Sequence, residues 1–482
     1  MDASVYSRRT FLQRASGVCF VVLSLAQSGC ASNAKRDVNM AHESGGAHGD
    51  GNVDSAKHTE RVTGALSVAQ LPQGKELWSE AVADGGGQRF AQPSRPLISN
   101  GTVYVSGRGE MSARRLKDGE LLVKAQLEDM GYSGARTALA EGLILAVYGD
   151  GSLAAFDSDD LSLVWRQRYD FAKGIRETGS GTHEDGTSYS ISEEFDADWY
   201  ATDITVCEDA AVVGFSSYQT NPGSYLLCIE LSSGEVRWQQ EYQGRFCYFA
   251  GVSHPCATAA GVLAPVPEEP RLQLLDCGDG HVLGELATDA FVGMGFSIVP
   301  GTEDEYLTVT RSGCFLHLHV SSAGIERRAS RVLPGPDGVE RVLMPSCAQP
   351  IVVGDVVVCN LPVPSEMRND GFEVPKEGVT GGFASFALDA SGFTSYRSSS
   401  SFDATPVVLQ AQDETVPYLY YLQDDGLYRM SFSDGKPSDP ELLNEGVSLG
   451  LDTQRGPFAL DENGYLALVC GNVNLQRLHV LR

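Results

Sequence analysis

The chain has 482 residues, with 63 acidic against 36 basic side chains and a formal net charge of −27. Phosphates are repelled by such a surface, which excludes nucleic acid and anionic membrane surfaces as partners. On an exported protein the same acidity serves solubility.

The N-terminus reads as an export signal. Ser7-Arg8-Arg9-Thr10-Phe11-Leu12 is a twin-arginine-like motif, with Arg8 and Arg9 as its core, and an apolar run over 18–26 follows. That run is short for a membrane span and fits a signal segment. It ends in Gln27-Ser28-Gly29-Cys30, a lipobox-like sequence in which Gln27 takes the place of the usual aliphatic residue. Residues 1–30 are expected to be a signal peptide, Cys30 to carry lipid, and the protein to face the outside of the cell membrane or the periplasm. Residues 31–68 hold few large apolar side chains, so they read as a tether in which His42, His48 and His58 are solvated.

From residue 69 to 482 one pattern recurs at a spacing of about 40 residues, the length of a four-stranded propeller blade. Its clearest copies are GKELW at 74–78, LSLVW at 161–165 and SSGEVRW at 232–238. Alternation and turn residues place blade starts near Pro96, His254, Phe296, Gln349, Thr405 and Pro457, with strands at 142–148 and 153–157 in blade 2 and at 211–215 and 225–229 in blade 3. The last copy stops one strand short, at Leu478-His479-Val480-Leu481-Arg482, while Gly74-Lys75-Glu76-Leu77-Trp78 is an orphan outer strand. The predicted fold is therefore all-β, an eight-bladed propeller closed by its N-terminal strand. Seven blades is the alternative, because copies four to six are degenerate.

The pattern resembles the PQQ-like repeat family of eight-bladed propellers. The residues that carry the resemblance are Ala155-Phe156-Asp157 with Trp165, Ile229-Glu230-Leu231 with Gly234 and Trp238, and Ala387-Leu388-Asp389 with Gly392. The resemblance implies that Trp78, Trp165 and Trp238 dock blades onto their neighbours. Val123, Gly284 and Tyr396 stand near that position in three other copies.

Cys19 and Cys30 aside, the cysteines (Cys207, Cys228, Cys247, Cys256, Cys277, Cys314, Cys347, Cys359, Cys470) are odd in number. One thiol at least is unpaired within a monomer, and the sequence leaves the pairing open. No CxxC, GxSxG, HExxH, P-loop or dinucleotide fingerprint occurs. His317 and His319 share a strand face without a third ligand, so no metal site is expected.

In a four-stranded blade, with strands a to d running outward, the b–c turns and the links between blades share one face. The insertions 170–202, 216–224, 243–253 and 361–382 all fall there, which makes it the candidate binding face. The first insertion contains Asp185, Trp199 and Tyr200, an acidic and aromatic set suited to a basic peptide or calcium, or simply to packing on the ring. Arg95, Arg136, His254 and Gln349 occupy related positions ahead of the innermost strands and are expected to ring the channel mouth.

The resemblance offers two functions. One branch comprises quinoprotein dehydrogenases that hold pyrroloquinoline quinone and calcium, but their adjacent cysteine pair is absent and no calcium set or base can be placed. The other comprises non-catalytic propellers, similar to the lipoprotein of the outer-membrane β-barrel assembly machinery. The expected protein is a monomeric, lipid-anchored, extracytoplasmic scaffold for a protein partner or small ligand. No cofactor is expected, with pyrroloquinoline quinone and calcium as the alternative.

Overall fold

The computed structural model describes residues 66–482 except 85–94, 108, 128–135, 184–186, 249–250, 294, 338, 345–347, 368–372, 377–380, 398–401, 403–404, 414, 424–425, 448–457 and 473–474. Eight antiparallel four-stranded sheets follow one another in a ring. Blade 1 is Leu97–Ser99, Thr102–Gly107, Glu110–Arg115 and Leu121–Gln126. Blade 2 is Arg136–Ala140, Leu143–Val147, Ser152–Asp157 and Leu163–Arg168. Blade 3 runs from Thr205–Cys207 to Val236–Tyr242, blade 4 from Cys256–Thr258 to Val282–Ala287, and blade 5 from Ser297–Ile298 to Gly324–Val332. Blade 6 runs from Ile351–Val353 to Thr394–Tyr396 and blade 7 from Val407–Leu409 to Glu441–Asn444. Among the described residues no helix is long and apolar enough to cross a membrane.

Local chemistry explains these strands. Asn100-Gly101 sits at φ of 49° and 72°, the left-handed pair that turns a tight hairpin with the twist of its strands. Both middle strands of a blade face neighbours on each side, so Ala210–Ser216 is buried at every position. Outer strands alternate, as in Leu121–Gln126. The core consequently lies between blades: Leu145, Val147 and Leu153 of blade 2 share a cluster with Val213, Phe215 and Leu227 of blade 3.

The eighth blade joins both ends of the chain. Phe458–Leu460, Leu466–Asn472 and Leu475–Leu481 are completed by Glu76–Asp84, with Trp78 opposite Val480. Lys75 and Arg482 exchange backbone hydrogen bonds of 3.0 and 2.9 Å. The expected closure is the observed one, and the count is eight. Leu66, the first described residue, is already buried, and its carbonyl accepts from the Gln412 amide, slightly ahead of the expected start at residue 69.

The three tryptophans dock in one way. Trp78 Nε1 donates to the Leu116 carbonyl at 2.8 Å, Trp165 to Leu231 at 2.7 Å, and Trp238 to Cys277 at 3.0 Å. Each indole covers a glycine in the c–d turn of the next blade, at Gly119, Gly234 and Gly280, all with φ of 74° to 76°. A methyl on Gly234 would stand 2.5 Å from the Trp165 ring. The glycine is needed twice over, for its positive φ and for the space.

Cys207 and Cys277 form a disulfide between blades 3 and 4, closing a sequence separation of 70 residues. In the chain-entropy account a loop of that size contributes about 4 kcal/mol. Cys228, Cys314 and Cys359 are free and buried, and Cys256 and Cys470 are buried as well. Burial pushes the Cys228 thiol up to about 12, so it is an inert apolar filler at neutral pH.

Gly234→Ala is expected to destabilise the ring by about 2 kcal/mol or more through left-handed strain and overpacking. Its effect should be strongly non-additive with Trp165→Ala, since both remove one contact. Thermal melting of the two single variants and the double variant checks this; additive losses would mean that the indole and the turn are independent.

Candidate binding face around the channel mouth

The insertions build small sheets of their own on the face bearing the b–c turns. Gly174–Thr182 pairs with Ser188–Phe195 as a separate hairpin between blades 2 and 3. Val363–Met367 and Glu373–Pro375, from the b–c insertion of blade 6, join Val342–Leu343 in a three-stranded sheet. Cys247–Tyr248 and Gly251–Val252 pair between blades 3 and 4.

Aromatic packing fixes the first insertion to the ring. Trp199 is 4% exposed, with its ring 4.5 Å from Phe171 and 5.6 Å from Tyr225, and its amide donates to the Gly149 carbonyl at 2.9 Å. Trp199 is therefore an anchor facing the ring. Tyr200 is half-buried beside the exposed Tyr218, at 6.0 Å, over which the Arg245 guanidinium lies at 5.0 Å. Two of the insertion's acidic side chains are matched: Asp196 pairs with Lys173 and with Arg168 of blade 2 at 3.1 Å, and Glu193 with Arg176 at 3.2 Å. Hydrogen bonds from Lys173 and Arg168 hold the Asp196 carboxyl below the usual carboxylate range. Burial raises that of Asp198, partly offset by Gln219. Asp185, Arg8, Arg9 and Cys30 lie outside the described residues.

At the inner edge, the starts of the first strands form a polar chain from blade to blade. Arg95 Nε donates to the Phe458 carbonyl at 3.0 Å, joining blade 1 to blade 8. Arg136 and Asp203 pair at 3.2 Å between blades 2 and 3. The Asp203 amide donates to His254 Nδ1 at 2.8 Å, reaching blade 4. The Ser297 hydroxyl donates to Gln349 Oε1 at 3.2 Å, and the Gln349 amide to Thr405 Oγ1 at 3.2 Å, linking blades 5 to 7. The four residues expected at the mouth are all in this chain of contacts. Asp203 is the member that sequence reasoning missed. It holds the equivalent place in blade 3, a register obscured by the long insertion before it.

Burial lowers the pKa of His254, Asp203 raises it and Arg136 lowers it further. The ring is therefore neutral at pH 7, with Nδ1 as acceptor and the proton on Nε2. Elsewhere, His317 contacts Glu305 at 3.2 Å and His319 contacts Asp304 at 3.2 Å, so the two imidazoles are held by separate carboxylates. In the exposed blade 4 turn Asp276-Cys277-Gly278-Asp279-Gly280-His281, the carboxylates accept the turn's own amides, Gly278 at 2.7 Å and His281 at 3.0 Å. A cleft of about 350 Å³ between blades 6 and 7, bordered by Asp355, Pro417, Phe432 and Asp434, lies on the opposite face.

Calcium takes six to eight oxygen ligands and favours carboxylates. Among the described mouth residues the carboxylate is Asp203 alone, and it is engaged by Arg136. The tryptophans dock blades or anchor the insertion, leaving no indole at the mouth for a quinone to stack on. These residues do not fit pyrroloquinoline quinone with calcium.

With the geometry in hand, comparison with known proteins gives the class. Residues 62–240, which include blades 1 to 3 and the closing strand, match the family described as outer membrane protein assembly factor BamB. The matched part covers less than half of the chain, and the eight-bladed ring agrees with the propeller fold of that family. BamB from Moraxella catarrhalis is similar, with 12% identity and a TM-score of 0.53 over 84% of this chain and 99% of that one. The quinohemoprotein alcohol dehydrogenase from Comamonas testosteroni has 11% identity and a TM-score of 0.60 over 88% and 78%. Sqt1 from Saccharomyces cerevisiae has 9% identity and a TM-score of 0.51 over 85% and 99%. At such identities the likeness is one of fold. No curated protein matches the chain.

Because the folded-state pKa of His254 lies below its ordinary 6.5, the unfolded chain binds the extra proton first. The stability that His254 contributes is complete above pH 6.5 and is lost as pH falls through its folded value. His254→Asn should narrow the melting-temperature gap between pH 7.5 and pH 5 relative to the parent protein. An unchanged gap in parallel melting curves would show that His254 does not titrate with folding.

Proposed function

We propose that the protein is an exported, lipid-anchored propeller that binds a protein partner through its insertion-bearing face and catalyses no reaction. The observation that carries this reading is the hairpin Gly174–Thr182 with Ser188–Phe195. Its two strands pair only with each other among the described residues, which leaves an open backbone edge on each side. Ile175 and Ile191 are 68% and 56% exposed upon it. A two-stranded ribbon is marginal alone, and an open edge is the surface to which a partner's strand adds. The match to an assembly factor and the mouth's poor fit to a quinone and calcium support the same reading.

A photo-crosslinker at Ile191 in the source cells is expected to give one discrete protein adduct, and one at Leu121 on the exposed rim of blade 1 none. Equal labelling from both positions, or none from Ile191, would count against partner docking at the hairpin. The anchor is tested separately. Cys30→Ala should move the protein from the membrane to the soluble extracytoplasmic fraction, because acyl chains supply the attachment. Retention in the membrane fraction would exclude lipidation at Cys30 as the anchor.

A further inference from the structure

Among the described residues the channel mouth presents more unengaged donors than acceptors, in a chain with 63 acidic residues. Arg136 has a carboxylate partner in Asp203; Arg95 does not. Arg95 donates through Nε to the Phe458 carbonyl, and among the described residues no carboxylate stands within ion-pair distance of it. Burial pulls its pKa down and the more distant charge of Asp203 opposes this. Among the described residues its two terminal nitrogens have no protein acceptor, and the side chain is half-buried. Arg136 Nε is buried and unpartnered as well.

Blades 4 to 6, on the far side of the ring from blade 1, present neutral donors. Gln349 uses Oε1 to accept from Ser297, so its Nε2 hydrogens remain, and this nitrogen occupies the space that a methyl on Gly295 would need. The same methyl would stand 3.3 Å from Cβ of His254, so glutamine and histidine converge over Gly295. His254 accepts at Nδ1 from Asp203, which leaves its Nε2–H to donate. The one carboxylate in the set carries a single negative charge against two guanidinium groups.

A half-buried guanidinium with no carboxylate at ion-pair distance can take an anion, and its planar fork matches the oxygens of carboxylate or phosphate. We propose that the channel mouth binds a small oxyanion, a polycarboxylate or a phosphate, between Arg95 on one side and the free donors of Gln349 and His254 on the other. The net charge of −27 repels anions at long range, but at physiological salt that field is screened within about 8 Å, and the mouth acts locally. The site goes beyond the partner-docking reading and is independent of it, since no residue of the hairpin takes part.

The test is calorimetric titration and thermal melting of the full mature chain at physiological salt, with citrate in one arm and inorganic phosphate in the other. Saturable binding of at least one anion is expected, with a melting temperature that climbs as its concentration rises. Arg95→Gln should weaken that binding by about tenfold or more, the effect of losing a charge-assisted pair. The variant also loses the hydrogen bond to the Phe458 carbonyl, so the rise in melting temperature with anion is read against the variant's own unliganded value. Should Arg95→Gln fail to fold, Gln349→Glu places a carboxylate on the opposite side and should abolish binding. Citrate alone marks a carboxylate ligand and phosphate alone a tetrahedral one. Absence of binding in both arms, or undiminished affinity in these variants, overturns the proposal.

Discussion

Everything in this molecule depends on how the outer strand of one blade meets the c–d turn of the next. A ring of sheets has no continuous core; its core is divided into slices between blades, and each slice must be sealed at the rim. The seal by tryptophan is an indole laid over a glycine at φ near 75°, with Nε1 donating to a turn carbonyl. Truncation of a buried tryptophan costs about 3–5 kcal/mol, a large share of the net stability of a folded domain. Where the indole is absent, the receiving turn changes with it. Val123 of blade 1 faces a turn that carries Leu161, itself at φ 56° and 3% exposed, so the bulk has moved to the other side of the interface. At blades 4 and 5 both sides are bare, and a methyl on Gly284 would stand 3.0 Å from Cα of Gly324. Arg331 of blade 5 donates to the Ala390 carbonyl and lies 4.4 Å over Phe393 of blade 6, a polar copy of the same geometry. At the chain junction, Leu443 of blade 7 packs on Gly74.

That sealed ring turns loosely related blade starts into one site. Side chains far apart in sequence reach the mouth because each precedes an innermost strand, and their spacing around the circle is fixed by the blades. Arg95 to Phe458 bridges the two ends of the domain, and Gln349 bridges Ser297 and Thr405. Rigid strands carry these donors, which keeps them preorganised and lowers the ordering cost of binding.

The fold was legible because its signals are local and repeat: hairpin glycines, buried runs, and a tryptophan at a set distance after a turn. The closure by Glu76–Asp84 was readable from an incomplete last copy and an orphan first strand. The faces of the insertions followed from strand count alone. What stayed hidden depends on contacts across blades. Nothing in the local sequence pairs Cys207 with Cys277, and the exchange of Trp and Gly for Val and Leu, or for Arg and Phe, is visible only once neighbours are in register. Asp203 escaped notice because an insertion displaces it from its repeat. The acidic and aromatic stretch around Trp199 left binding and packing open, and the indole is turned to the ring.

The pairing inside that insertion also bears on what it can recognise. Asp196 is shared by Arg168 and Lys173, and Glu193 by Arg176, so a basic peptide would have to displace partners already in place. Exposed pairs of this kind contribute little to stability, and with eight acidic against two basic side chains over 170–202 the insertion keeps its negative charge. The hairpin offers main-chain donors and acceptors beside that charge, with Ile175 and Ile191 as apolar points upon it. Recognition through such an edge depends on the partner's ability to extend and on the register of its side chains. It differs in kind from the channel mouth, where charge is unbalanced and the backbone is already paired. The two surfaces share a face but divide the chemistry of recognition: the described mouth residues present side-chain donors, the hairpin an unpaired strand.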